Sequence, residues 1–455
     1  MKRLSLVSSA AVLCSVLVLA GCGDKKKGDA GKADRARATG FAGVDLPDDL
    51  KLKTLWDLKI KKGAISRAWV KDGFAMIAAS NPNIFYLLRK QDGMNIWNCE
   101  FKKPIMMKYV PGVSKDAVMV MSDERIVRIH RDWGKIICLL DAKVPISAQP
   151  VLSTWVETTQ GTPVIYAPSY GDGRLWAIKI RKMMRSVQNP VPGEDPIEFP
   201  YYAASRGWSR GTPRGGGHIL APVTKVGGFI YVCTTDGYVM AIKDSTGRPI
   251  WRIQTQGVLE KGICIHKDLL FFGSSDFKLY CHNRLSRDKL WELPTGSPVV
   301  TRPMASADGK LVVCMSEGQG ALGVDVKTGK RLWTSKTTRE VLGIGGAAVY
   351  TKATDGSLTA LDRKTGKPVW RSSLKGFKNV FATIEQYEQP KDPNPLYLMA
   401  ETTSNDIVCL VEPGFVPRKI VENGEKEKAP APAVPAPVAP KKGAAPAPAA
   451  PAAKK

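Results

Sequence analysis

The sequence predicts an all-β fold: an eight-bladed β-propeller whose first strand completes its last sheet. Three observations predict it. A unit of about 41 residues recurs along the chain and closes on tryptophan. Within the units, Asp-Gly and Thr-Gly-Lys turns recur at fixed places between apolar runs. An orphan closing strand near the start answers a final unit that lacks one.

The clearest unit runs from Ile230 through Asp236-Gly237 and Thr246-Gly247 to Trp251, and a second from Ala353 through Asp355-Gly356 and Thr365-Gly366-Lys367 to Trp370. Apolar alternation before each Asp-Gly reads as half-buried strand, and Asp-Gly supplies the positive backbone angles of a tight hairpin. Thr-Gly turns the chain again with glycine at a left-handed position, and the next strand carries the tryptophan. Each unit is therefore an antiparallel meander. A lone sheet of this kind leaves one face uncovered, so the units must stack.

Looser copies extend the series. Trp97, Trp251, Trp291, Trp333 and Trp370 close five units, the last four at intervals of 40, 42 and 37 residues. In another copy the turn is Trp133-Gly134-Lys135, and Cys138 stands where tryptophan is expected. A further copy begins at Val164 and passes through Asp172-Gly173. A final one, Leu396 to Cys409, has inner strands and no closing tryptophan. Trp56 lies 41 residues before Trp97 with no strands ahead of it, which supplies the missing piece. Residues 52–417, less an insertion at 181–218, hold eight periods, within the range of propellers.

The pattern Ala360-x-Asp362-x-x-Thr365-Gly366-Lys367-x-x-Trp370 resembles the tryptophan docking motif of the pyrroloquinoline-quinone-type (PQQ-like) β-propeller repeats. The resemblance implies that Trp56, Trp97, Trp251, Trp291, Trp333 and Trp370 are structural groups, each packed on a neighbouring blade. Two functional branches share the repeat: quinone-dependent dehydrogenases, which hold the cofactor on the propeller axis, and noncatalytic BamB-like lipoproteins of outer-membrane protein assembly. Only residues outside the scaffold separate them. The chain has no adjacent cysteine pair and no CxxCH, and its four histidines, His130, His218, His266 and His282, are widely spaced. His282, beside Cys281, reads as a turn or strand-edge residue and not as a metal ligand. The expectation is a protein that is not an enzyme, with no catalytic, cofactor or metal site.

The N-terminus supports the lipoprotein branch. Lys2 and Arg3 precede an apolar run from Leu4 to Ala20, followed by Leu19-Ala20-Gly21-Cys22. This is the layout of a secretory signal over residues 1–21, and Cys22 is the expected site of lipid attachment. Residues 22–51 read as a flexible tether, being charged and poor in large apolar groups. The expected location is the cell envelope, facing the periplasm, with the outer membrane favoured. The formal charge of +25 falls by two without Lys2 and Arg3. That favours anionic surfaces, including cell-wall polymer, over nucleic acid, which an exported protein rarely meets. Seven cysteines beyond Cys14 and Cys22 occupy apolar strand patterns and are expected to be mostly buried free thiols.

Two segments stand outside the repeat. The insertion 181–218 interleaves Arg206 and Arg210 with Tyr201, Tyr202 and Trp208, the composition of a contact surface, and is the predicted partner-binding site. Residues 418–455 form a Pro/Ala/Lys tract that is expected to be disordered. The function expected is a membrane-anchored scaffold, a monomer within an envelope complex. The alternatives are a PQQ-dependent oxidoreductase and a cell-wall-binding envelope protein.

Overall fold

The computed structural model describes residues 46–60, 62–71, 73–103, 112–113, 116–120, 125–141, 144–152, 164–187, 197–382 and 396–413. The predicted signal, Cys22 and the 418–455 tail lie outside the described residues. Among those described there are strands and turns and no helix, arranged as eight four-stranded antiparallel sheets. The sheets are the blades of a propeller. Blades 1 to 7 follow one another over residues 64–101, 112–140, 151–210, 224–254, 263–294, 304–335 and 338–372.

Blade 8 closes the ring as expected. Its strands β30 (Phe377–Phe381), β31 (Leu398–Thr402) and β32 (Asp406–Val411) are completed by β1 (Lys53–Lys59), which pairs antiparallel with β32 and sets Trp56 opposite Cys409. Middle strands such as Leu311–Ser316 are buried along their whole length, because a neighbouring blade covers each face. Outer strands such as Asn95–Phe101 alternate, with Trp97, Cys99 and Phe101 turned inward. The core therefore lies between the sheets. One cluster joins Phe85 and Trp97 of blade 1 to Val127 and Ile129 of blade 2, and another joins Val313 and Trp333 of blade 6 to Val349 and Leu361 of blade 7.

A β-bulge precedes the closing position in every outer strand. In blade 4, Trp251 faces Ala241 while Pro249 faces Ile242, so Ile250 is the extra residue. A bulge kinks the strand and re-aims the following side chain. The consequence is that the indole leaves its own sheet and reaches the next. Its ring N–H donates to a carbonyl in the turn between the last two strands of that blade: Trp56 to Lys90 (2.8 Å), Trp291 to Val326 (2.8 Å), Trp333 to Arg363 (2.9 Å) and Trp251 to Arg284 (3.1 Å), with Trp97 bonded likewise to Arg131. The ring lies on a turn glycine with φ near +67°. At Gly366 (φ +67°) a Cβ would sit 2.6 Å from the Trp333 indole, so both the backbone angle and the contact demand glycine. Arg287 takes this position under Trp251, at φ 65°.

The closing residue of blade 2 is Cys138, which faces Arg128 as tryptophan faces its partner elsewhere. Arg128 is buried, whereas the equivalent positions hold Leu87, Ala241, Cys281, Gly323 and Ala360. The seam of the ring is sealed differently again, because no continuous turn joins β32 to β1. Glu412, just past β32, accepts hydrogen bonds from the Gly346 and Ala347 amides (2.8 and 3.0 Å) and the Tyr350 hydroxyl (2.9 Å) of blade 7. Burial, helped by this carboxylate, pushes the Tyr350 phenol well above its ordinary pKa.

Two boundaries differ from the sequence reading. The end of the expected tether is folded: Leu50 and Leu52 are buried in the cluster that includes Trp370 and Leu398, and Asp49 accepts from the Ser372 hydroxyl (2.8 Å) and the Ser373 amide (3.0 Å). The spaced leucines were hidden among charges. The insertion is not separate from the blades either. Its residues 181–187 and 197–210 extend the two outer strands of blade 3. Cys99, Cys233, Cys264, Cys281, Cys314 and Cys409 are buried free thiols, and burial pushes those of Cys233, Cys281 and Cys314 up to about 12. Such thiols stay protonated and unreactive.

Candidate functional site

Blade 3 departs most from the repeat. Its strands β12 (Leu175–Val187) and β13 (Ile197–Arg210) are more than twice as long as their counterparts, which run five or six residues in blades 4 to 7. From Ile178 opposite Arg206 to Val187 opposite Ile197, the ladder is unbroken. Across the shift next to Trp176, Gly207 and Trp208 together stand opposite Ala177, which puts the bulge at Gly207 by analogy with the other blades.

That register reassigns two of the five predicted contact residues. Trp208 is the docking tryptophan of blade 3: its ring N–H donates to the Asp244 carbonyl of blade 4 (2.9 Å), and the indole covers Gly247 (φ +69°) and lies 5.7 Å from the Tyr166 ring. Arg210 Nε donates to the Gly247 carbonyl (2.9 Å) and reinforces the same joint. Both residues hold blades together. The sequence signal was present, since Trp208 precedes Trp251 by 43 residues, close to one period. Arg206 is exposed, with its guanidinium 4.9 Å from the Trp176 ring centroid, and Tyr201 and Tyr202 lie on β13 beyond the blade's regular length. Arg174 Nε donates to Ser209 Oγ (3.0 Å) and Trp176 to Asp172 (3.0 Å), which fixes the root of the hairpin.

The return from β13 to blade 4 is structural. Gly217 is buried against Asp236, where a Cβ would come within 2.5 Å of the carboxylate, and the His218 amide donates to Thr235 Oγ1 (2.8 Å). This packing accounts for Gly217, and a φ of +75° for Gly215. Elsewhere on the rim, the bulged residues Ile250, Leu290, Leu332 and Val369 are exposed aliphatics, one on each of blades 4 to 7. Trp133 is 76% exposed and stacks on His130, ring centroids 4.3 Å apart.

The structure does not gather the histidines into a site. His218 is exposed near the start of blade 4, while His266 and His282 are buried in blade 5. His282 Nδ1 contacts the Arg287 carbonyl (3.0 Å), in the turn that receives Trp251, so it supports a blade joint. Burial lowers the pKa of both His266 and His282, the Lys267 charge adding to the effect at His266. Among the described residues no group of three His, Cys, Asp or Glu side chains is placed to hold a metal ion.

The profile of the family described as outer membrane protein assembly factor BamB matches residues 202–341 and 236–388. The chain is 26% identical over 155 residues to the outer membrane protein assembly factor BamB of Nitrosomonas eutropha, covering 32% of this chain and 37% of that protein. It is 25% identical over 182 residues to the factor of the same name from Burkholderia pseudomallei, covering 38% and 47%. The matches thus span less than half the length of these relatives. A shorter match, 29% over 118 residues, is to the quinoprotein alcohol dehydrogenase PedH of Pseudomonas putida, covering 23% of this chain and 20% of that enzyme. The crystal structure of BamB from Moraxella catarrhalis superposes with a TM-score of 0.57 at 12% identity, over 80% of this chain and 99% of that one, which shows a shared fold. A ring of eight sheets and these matches together support a BamB-like PQQ-type repeat protein.

Proposed function

We propose that this protein is a lipid-anchored, periplasm-facing scaffold that acts in outer-membrane β-barrel protein assembly, without catalysis of its own. The observation that carries the reading is the match of four consecutive blades, residues 202–388, to the BamB profile. A signal-like segment ending at Cys22 supports the anchor, and the blade 3 hairpin and aliphatic rim supply surfaces on which other envelope proteins can dock. Depletion of the protein is expected to lower the outer-membrane content of β-barrel proteins, and crosslinking in intact cells to join it to the assembly machinery. Unchanged barrel levels with no such crosslink would reject the reading. The anchor is tested separately: Cys22→Ser is expected to abolish incorporation of labelled palmitate, and continued labelling would refute it.

The match to a quinoprotein dehydrogenase supports a second reading, a PQQ-dependent oxidoreductase. Purified protein incubated with the quinone and calcium is expected to show no dye-linked alcohol oxidation. Stoichiometric quinone binding with turnover would replace the scaffold by an enzyme. A third reading, cell-wall binding driven by the +25 charge, predicts cosedimentation with peptidoglycan at low salt that is lost at high salt.

A further inference from the structure

Every outer strand of the ring is a sheet edge, and the bulge ahead of its closing residue interrupts its row of free amides and carbonyls. Past the bulge, the regular ladder is short: Trp251 to Gln254 in blade 4, Trp291 to Pro294 in blade 5, Trp333 to Ser335 in blade 6. Bulges and short strands are the usual means of keeping edges from pairing with other chains. On β13 the bulge sits at Gly207, near the end of the strand, so the ladder from Arg206 to Ile197 continues without a break for ten residues. That is a straight edge of roughly 33 Å at strand rise.

The other protections are also thin on this strand. Between Ile197 and Arg210 there is no lysine, and Pro200 is the only proline. Proline has no N–H, so an edge strand accepts it where its nitrogen points away from the ladder. Residues alternate in direction, which turns the amides of Tyr202 and Ala204 outward with Pro200. The two strands carry Lys179, Arg181, Lys182, Arg185, Arg206 and Arg210 against Glu198, and with Glu194 and Asp195 between the strands the basic residues outnumber the acidic ones six to three.

From this we infer that the outer edge of β13 accepts an extended acidic segment of a partner protein as a fifth strand of blade 3. Main-chain hydrogen bonds to Tyr202 and Ala204 themselves hold the segment, and the basic hairpin selects its charge. The inference deepens the scaffold reading, on which it rests, by naming where and what the scaffold holds.

The test uses the detergent-solubilised full chain and three fluorescent twelve-residue peptides: alternating Glu and Val, the same with proline at every fourth position, and alternating Lys and Val. Anisotropy is expected to show binding of the first only. Ala204→Pro, which removes an outward amide while sparing the ladder to β12, is expected to weaken it about three- to tenfold. Arg181→Glu should weaken it by a similar factor. Should Ala204→Pro fail to fold, hydrogen exchange on the unmodified protein decides, with Tyr202 and Ala204 amides slowed by the Glu/Val peptide. Equal binding of the proline peptide, or slowing absent at these amides, would overturn strand addition. Retained crosslinks to assembly partners in Ala204→Pro cells would then leave the scaffold reading standing.

Discussion

The joint between blades 6 and 7 and the joint between blades 2 and 3 hold together the same kind of sheets by different means. In the first, Trp333 crosses to the turn at Arg363 and lies on Gly366. In the second, the crossing position holds Cys138, and the turn it would reach has been drawn out into the long β12–β13 hairpin. Tryptophan and receiving turn disappear together, because each half of the joint lies on a different blade and neither stabilises anything alone. Strand β13 also packs beside the outer strand of blade 2 (Ile136–Leu140), so the hairpin braces the joint whose indole is missing.

This comparison can be broken experimentally, starting with the largest expected effect. Trp333→Ala removes a buried indole and its hydrogen bond and should cost about 3–5 kcal/mol in denaturant unfolding. Introducing Cys138→Trp should bring no such gain, since its receiving turn is gone; a stabilisation above about 1 kcal/mol would show that the two halves act independently. Gly366→Ala places a Cβ against the indole at positive φ and should cost about 2–4 kcal/mol, the sum of left-handed strain and overpacking. At the seam, Glu412→Gln keeps the shape and removes the charge that three donors share, an expected loss of about 1.5–3 kcal/mol.

The smallest effect is on pH. His266 and His282 are held neutral by burial, so their folded pKa values lie below the ordinary value of 6.5. Below 6.5 the unfolded chain binds protons that the folded chain does not, and stability falls as the pH drops through that range. His266→Gln should flatten this slope when unfolding is followed between pH 7 and pH 5. An unchanged slope would place the acid sensitivity elsewhere.

The ring was legible in the sequence because its joints are written in rare residues. Tryptophan at intervals near 40, twice after Thr-Gly-Lys, gave the blades, and the orphan Trp56 gave the closure. Legibility failed where the joint changed. Trp208 follows no Thr-Gly-Lys but a long strand whose charges and aromatics have the composition of a contact surface, which points it at a partner although it docks on blade 4. Arg287 occupies the glycine position of its turn through a left-handed backbone, which leaves no mark in composition. Leu50 and Leu52 pack as core residues although the surrounding sequence has the charge content of a tether. Of the candidate site, composition gave the location, but the two long strands and the place of β13 at the sheet edge follow from register, which no local pattern records.

The pairing of Lys53–Lys59 with Asp406–Val411 sets a timetable for the chain's synthesis. Its earliest strand has no mate until nearly all the rest has been made, and seven sheets can form while the eighth stays incomplete. Until that moment an open edge and unburied apolar surface are presented to whatever surrounds the nascent protein, the state in which β-rich chains aggregate. Any truncation that removes residues 406–411 therefore loses more than one strand. It leaves the first strand without a partner and the circle unable to shut.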